Sequence, residues 1–318
     1  MKAVFVLSLS IIILRAKAWS SVKNPFELMV PPIKIHPISD CMHVTTEEGD
    51  FVFKKIPHLG RAENEKEMNM VDVENPMTVC GLYVVGQPDK LVEITIKHLD
   101  VNCESGGLMA FVDGWELNGH YFPGVKDHHR SLNNRVSEFC NDHSHWPVMS
   151  YKKTFRSSQN AALLQYRIPI RGSFIANVHF RTIPEPCNIM VEDVSSYYTL
   201  RNYGRRGNCT LTALFPAVVS LVSINVGGKP ESEKVDYECD SMEDRLDVGG
   251  TGGLDSYDME RSTYICGHTK KPGPEQAIFC GITSVRLMSS GKYHNEAVLL
   301  VRQADENDLE LASLICPL

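Results

Sequence analysis

The sequence predicts an all-β chain built as two disulfide-stapled antiparallel β-sandwiches, and three observations carry that expectation. Short runs of β-branched and apolar residues recur between Gly, Pro, Asn and Ser turn positions. Ten cysteines stand behind an apolar leader, an even set of the kind that staples extracellular domains. The two halves of the chain echo one another.

The leader is Met1 to Ala18: Lys2 supplies a charged start, Ala3 to Leu14 an apolar run, and Ala16-Lys17-Ala18 a small-x-small cleavage form. About twelve apolar residues span only about 18 Å as a helix, short of the roughly 30 Å hydrocarbon core. A cleaved signal peptide and a secreted, extracellular product without membrane insertion are therefore expected. Cleavage removes Lys2, Arg15 and Lys17 and no acid, which leaves 39 acidic residues against 29 basic ones. That balance excludes nucleic acid as an expected partner. Glu231 to Glu260 is the most acidic stretch, with only Lys234 and Arg245 as bases, and reads as a solvated face or a docking surface for a basic partner.

After a lead-in at 19–40, the strand candidates run in order. Asp50–Phe53 comes first, and Leu91–Lys97 follows with strict alternation that buries one face. Leu108–Val112, Ala161–Arg167 and Phe174–Phe180 complete the first half; Thr210–Phe215, Val218–Val226, Ser284–Met288 and Ala297–Val301 make up the second. Glu63 to Met70 has helix-forming composition but no apolar face and reads as a surface insertion. Thr182-Ile-Pro-Glu-Pro186 favours an extended connector, so the expected modules are 41–183 and 187–318.

In each half a cysteine (Cys103, Cys239) precedes a strand that runs into a Gly turn, at Leu108–Gly114 and Asp244–Gly250. A second cysteine follows, Cys140 or Cys266. Arg156-Ser-Ser-Gln-Asn160 and Met288-Ser-Ser-Gly-Lys292 then read as a matched pair. A cysteine, a strand ending in Asp-Gly, a second cysteine and a late Ser-Ser-x-Asn form a pattern that resembles a CUB domain. Phe111–Trp115, Phe122-Pro123, Glu138–Cys140, Arg156–Asn160, Asn208–Thr210, Gly249–Gly252 and Met288–Lys292, in that order from Cys41 to the C-terminus, resemble the corticotropin-releasing factor-binding protein family.

Ten cysteines admit on the order of a thousand pairings, and sequence alone does not choose among them. The resemblance implies sequential bridges: Cys41 with Cys80, Cys103 with Cys140, Cys187 with Cys209, Cys239 with Cys266, and Cys280 with Cys316. Each would contribute about 3 to 4 kcal/mol in the chain-entropy description. Asn208-Cys209-Thr210 is a sequon with a permitted middle residue and predicts N-glycosylation at Asn208.

Other chemistry finds little support. Zinc sites need paired Cys-x-x-Cys or Cys/His spacing, which the chain lacks. Asp127-His128-His129 and Asp142-His143-Ser144-His145 could converge on a transition metal, but loop histidines beside turn residues are usually solvated. Calcium-binding CUB domains carry an Asp six positions before that of Asp-Gly; here Gly107 stands there, and Ser157-Ser158 lacks the late acid. In the second half Asp244 is present, but Ser289-Ser290 again lacks the acid, which leaves too few oxygens for six to eight ligands. No Gly-x-Ser-x-Gly elbow occurs, Gly249–Gly253 reads as a flexible turn, and the implied bridges leave no free thiol. No catalysis, cofactor or metal is expected. Arg205-Arg206 could serve as a processing site, but it lies inside an implied disulfide loop.

The resemblance implies a carrier for peptide hormones of the corticotropin-releasing factor and diuretic hormone family, held without covalent chemistry. An amphipathic hormone helix would lay its apolar face in a groove, with Trp115, Tyr121 and Phe122 as candidate anchors beside the Asp113-Gly114 turn. The contrasting reading is an extracellular CUB-type adhesion or matrix-assembly protein.

Overall fold

A computed structural model of the chain describes residues 34–56, 78–141, 152–228 and 233–317. The leader at 1–18, most of the 19–40 lead-in, the 63–70 stretch and the Asp142–His145 histidines lie outside the described residues. All described helical turns are short 3-10 turns, at Leu132–Asn134, Ser256–Asp258 and Glu306–Leu311.

The first sandwich comprises β1 (Ile35–Pro37), β2 (Met42–Thr45), β3 (Gly49–Lys55), β4 (Cys80–Val85), β5 (Lys90–Asp100), β6 (Leu108–Val112), β7 (Trp115–Leu117), β8 (His120–Phe122), β9 (Val136–Phe139), β10 (Lys153–Arg156), β11 (Ala161–Arg167) and β12 (Gly172–Thr182). They form two five-stranded sheets, in the orders β1-β3-β12-β5-β10 and β2-β4-β11-β6-β9, with β7-β8 as a separate hairpin. The alternation in β5 has its expected outcome: Val92, Ile94 and Ile96 point into the core while Glu93 and Thr95 do not. A register shift opposite Ile175/Ala176 resets the phase, so Leu99 returns to the core. Phe51, Phe174 and Val178 of one sheet meet Leu82, Met109, Phe111 and Leu164 of the other.

The second sandwich comprises β13 (Ile189–Met190), β14 (Ser195–Arg201), β15 (Arg206–Ala213), β16 (Ala217–Val226), β17 (Lys234–Asp236), β18 (Arg245–Thr251), β19 (Glu260–Thr269), β20 (Glu275–Phe279), β21 (Ile282–Ser290), β22 (Glu296–Gln303) and β23 (Ala312–Ile315). One face runs β13-β15-β21-β18-β19 and the other β14-β22-β16-β20-β23. Strand β19 belongs to both, since Glu260–Ile265 pairs with β18 and Gly267–Thr269 with β16. Gly267 turns that corner at φ 108°, a value that favours glycine. Leu200, Leu211, Leu246, Val285, Leu287 and Leu299 fill the second core.

Pairing is mostly antiparallel, but β2 runs parallel to β4 and β13 parallel to β15, so the repetition extends to strand direction. The disulfides follow it. Cys41–Cys80 and Cys187–Cys209 tie the two parallel pairs, and Cys103–Cys140 and Cys239–Cys266 tie β6 to β9 and β18 to β19. Cys280–Cys316 secures the added strand β23 beside β20. The architecture is thus all-β, with two disulfide-stapled CUB-like sandwiches. Ile35–Leu318 nevertheless forms one compact unit.

Two expectations need correction. Arg156–Asn160 leads into β11, whereas Met288–Lys292 ends β21, its counterpart, and runs beyond it, so the two Ser-Ser segments lie at opposite ends of equivalent strands. The Gly249–Gly253 run is not wholly a turn, because Gly249 and Gly250 pair within β18.

Candidate functional site between the sandwiches

A third apolar cluster joins the two cores. Tyr83, Val85, Val112, Ala161 and Leu163 lie on the outer face of the first sandwich and meet Met190, Leu254 and Ile282 of the second. This contact explains why β4 and β11 are apolar on both faces: neither face meets water. Trp115 and Phe122 sit in the same cluster, 5% and 0% exposed, and Trp115 Nε1 donates to Val84 O at 2.9 Å. Both are committed to packing and offer no surface to an incoming peptide, which corrects their expected role as anchors. Tyr121 is only half-buried.

The hairpin that carries these aromatics is pinned by Arg135, a fully buried side chain. Its guanidinium donates to Asp113 O (3.1 Å), Pro123 O (2.8 Å) and Phe122 O (3.1 Å), which satisfies carbonyls that water cannot reach. Asp113 accepts Ser158 N (2.6 Å), Ser158 Oγ (2.7 Å) and Gln159 Nε2 (2.9 Å), and His128 Nε2 lies 3.3 Å away. Burial alone would raise its carboxyl, but the contacts from His128 and Ser158 outweigh burial and hold it at about 2. The second sandwich repeats the device: Asp244 accepts Ser290 N (3.0 Å), Ser290 Oγ and Asn295 Nδ2 (2.6 Å). Each Ser-Ser segment therefore ties a carboxylate through its second serine, although the two segments occupy different strand ends. Neither aspartate is free to join a calcium site without losing these donors.

The loop after the hairpin reaches across to the second sandwich. Asp127 is buried and accepts Arg286 Nε on both oxygens (2.8 and 3.0 Å) and Arg286 Nη2 on Oδ1. It also accepts Thr210 Oγ1 (2.8 Å), Ser256 Oγ (2.6 Å) and Asn208 Nδ2 (3.0 Å). Asn160 acts as a backbone mimic, donating to Gly86 O and Met190 O and accepting Met190 N. Sequence reasoning singled out Asp127, Asn160, Asn208 and Thr210 in other roles and missed Arg286, Ser256 and the junction they form. Thr210, Thr212, Ser284 and Arg286 form a polar strand face that reads as solvent-facing, yet each is at most 2% exposed because the first sandwich covers them.

Beside this junction opens a cleft of about 540 Å³. Lys126, His128, His129, Ser158 and Gln159 border it on one side, and Glu185, Asn188, Asn202, Tyr203, Arg205, Arg206 and Asn208 on the other. Burial, followed by the neighbouring His128 and Arg130, lowers the His129 pKa. Asn208 thus belongs to the cleft wall, with its amide nitrogen also 3.4 Å from Lys126 O. Arg205 pairs with Glu185 at 2.6 Å. Among the described residues no group of three or more His, Cys, Asp or Glu is placed to hold a metal ion. No helix among them is long and apolar enough to cross a membrane.

Comparison with known proteins matches both sandwiches. The corticotropin-releasing factor binding protein N-terminal domain matches residues 66–182 and the C-terminal domain of the same family residues 189–310. The corticotropin-releasing factor-binding protein of Xenopus laevis is 24% identical over 270 residues, covering 83% of this chain and 76% of the relative. The Homo sapiens protein of that name is 26% identical over 241 residues, covering 74% and 72%. Among solved structures, the CUB1-EGF-CUB2 domains of rat MASP-1 align with 84% of this chain and 100% of that one, at 9% identity and a TM-score of 0.25.

Proposed function

Because this chain belongs to the corticotropin-releasing factor-binding protein family across both of its domains, we propose that it is a secreted, extracellular carrier. Its cargo is a peptide hormone of the corticotropin-releasing factor and diuretic hormone family, and carriage limits receptor activation. The observation that carries this reading is the match of both family domains in order, over two sandwiches welded into one unit. The mechanism is sequestration by mass action. At carrier concentration [B], free hormone falls by the factor 1 + [B]/Kd, so a useful carrier binds near nanomolar, about −12 kcal/mol. Of the aromatic candidates, Tyr121 is the one retained as a contact, because it alone keeps exposed surface.

The test is a titration of the purified secreted chain against fluorescently labelled corticotropin-releasing factor and diuretic hormone peptides. Saturable binding near nanomolar, with matching suppression of a receptor reporter, is expected. Absence of binding at about 10 μM, some 7 kcal/mol or less, would remove the proposal. Recovery of large glycoproteins or of the chain itself, in place of a small peptide, would favour adhesion.

A further inference from the structure

We infer that the second sandwich carries a seat for the chain's own N-glycan: the core N-acetylglucosamine units on Asn208 lie on a shelf formed by Met288, Arg245, Arg206 and Glu243. The inference rests on glycosylation of Asn208 and is independent of the hormone-carrier reading. Asn208 does not stand on an open surface. Strand β15 gives Cys209 and Leu211 to the core, so Asn208 and Thr210 share the opposite face, the one the first sandwich partly covers. Asn208 Nδ2 lies 3.0 Å from Asp127 Oδ1 and 3.4 Å from Lys126 O, both on the first sandwich's loop. An N-linked sugar replaces one of the two amide hydrogens and leaves one for Asp127. The glycan therefore starts at the seam, whichever way it continues.

Two clefts meet at Asn208. In the one of about 540 Å³ the neighbouring polar groups are already matched: Asn188 bonds Asp127 O and Thr210 N, Asn202 bonds Tyr293 O and Asn295 N, and Glu185 pairs with Arg205. The other cleft, of about 420 Å³, is a shelf on the second sandwich alone. Strand register sets Asn208 opposite Met288 of β21, and Met288 opposite Arg245 of β18, so the three stand in a row on one sheet face. Two strand spacings, about 10 Å, separate the first from the last, which is the reach of a disaccharide. Met288 is half-buried and offers an adaptable apolar floor to the C–H face of a sugar ring. Arg206 and Glu243 are exposed on the rim and supply a charged donor and a charged acceptor for hydroxyl and acetamido groups. Little intrinsic affinity is needed, because a ligand tethered beside its seat is present at an effective concentration of order millimolar.

The experiment treats the full secreted chain, carrying high-mannose glycans, with endoglycosidase H, which cuts between the two core units, before and after reduction and denaturation. Release from the native chain should be about tenfold slower, because cleavage proceeds only through the lifted form of the glycan. The control is Asn208→Gln/His120→Thr, which moves the sequon to Asn118 at the exposed tip of the β7-β8 hairpin; there the two rates should agree. Met288→Ala/Glu243→Ala should bring the native rate of Asn208 release to within about twofold of the denatured rate, with the thermal midpoint checked against the parent. Arg206→Ala, at a fully exposed position, tests the rim alone and should speed native release about threefold. Equal release from native and denatured parent, or undiminished protection in the shelf variants, overturns the inference and leaves glycosylation standing. Faster release in His129→Ala with none in the shelf variants places the glycan in the other cleft and overturns it too. No mobility shift even for the denatured chain removes the glycan and the seat together. Hormone binding is not part of the readout, so the carrier reading stands or falls on its own titration.

Discussion

Arg286, in the middle of a buried strand of the second sandwich, meets Asp127 from a loop of the first, with both side chains at most 3% exposed. Removing one partner of such a pair leaves an uncompensated buried charge, so Arg286→Met should cost about 3 to 5 kcal/mol. Asp127→Asn combined with Arg286→Met should cost less than the two changes summed, because no buried charge then remains. Chemical denaturation of the purified chain measures both.

Asp113 gives the acid limb of stability a specific cause. Its carboxyl stands at about 2 in the folded chain against an ordinary 3.8, so the unfolded chain binds the proton first as pH falls. The stabilisation is complete above about pH 4 and is lost as pH falls towards 2, a change of about 2 kcal/mol. Asp113→Asn should flatten that part of the stability profile relative to the parent.

Gly114 is required by geometry. It adopts φ 114°, and a Cβ there would lie 1.9 Å from Phe122 O. Gly114→Ala should therefore cost about 3 kcal/mol or more, read as lost secretion or a lowered thermal midpoint. It would also detach the hairpin from Arg135.

Trp115 and Tyr121 should separate cleanly in mutation. Trp115→Ala removes a buried ring and a hydrogen-bond donor from the junction and should cost about 3 to 5 kcal/mol of stability. Tyr121→Ala should cost about 1 kcal/mol and express its main effect on hormone affinity. Equal stability of both variants would contradict the packing described above.

Glycosylation at Asn208 is expected before the sandwiches close, since in the folded chain Asn208 Nδ2 donates to Asp127 and Thr210 Oγ1 is fully buried. Endoglycosidase should shift the mobility of the secreted parent and leave Asn208→Gln unchanged. No shift for the parent would remove the site.

How much of this was legible depends on the face a residue occupies. Alternation in Leu91–Lys97 identified Val92, Ile94 and Ile96 as inward, since a side chain's face in a strand follows from position alone. Short edge strands such as β2 and β10 escaped notice, because a few residues carry too weak a period to read. The Ser-Ser echo was real in its chemistry but misleading in position: Ser158 and Ser290 each cap an aspartate, yet on different turns.

The sequence by itself determined the class of the chain, its strand content, its secreted character as an expectation, and its family, because these depend on local pattern and cysteine number. Only the tertiary structure decided that Trp115 and Phe122 are interior and that Thr210, Ser284 and Arg286 are buried. It alone brought residues 126–129 of the first half and 202–209 of the second together around one cleft. The physical reason is that an outer sheet face has the same local pattern whether water or a second sandwich covers it. Its burial depends on residues about 80 to 160 positions away that no local spacing relates.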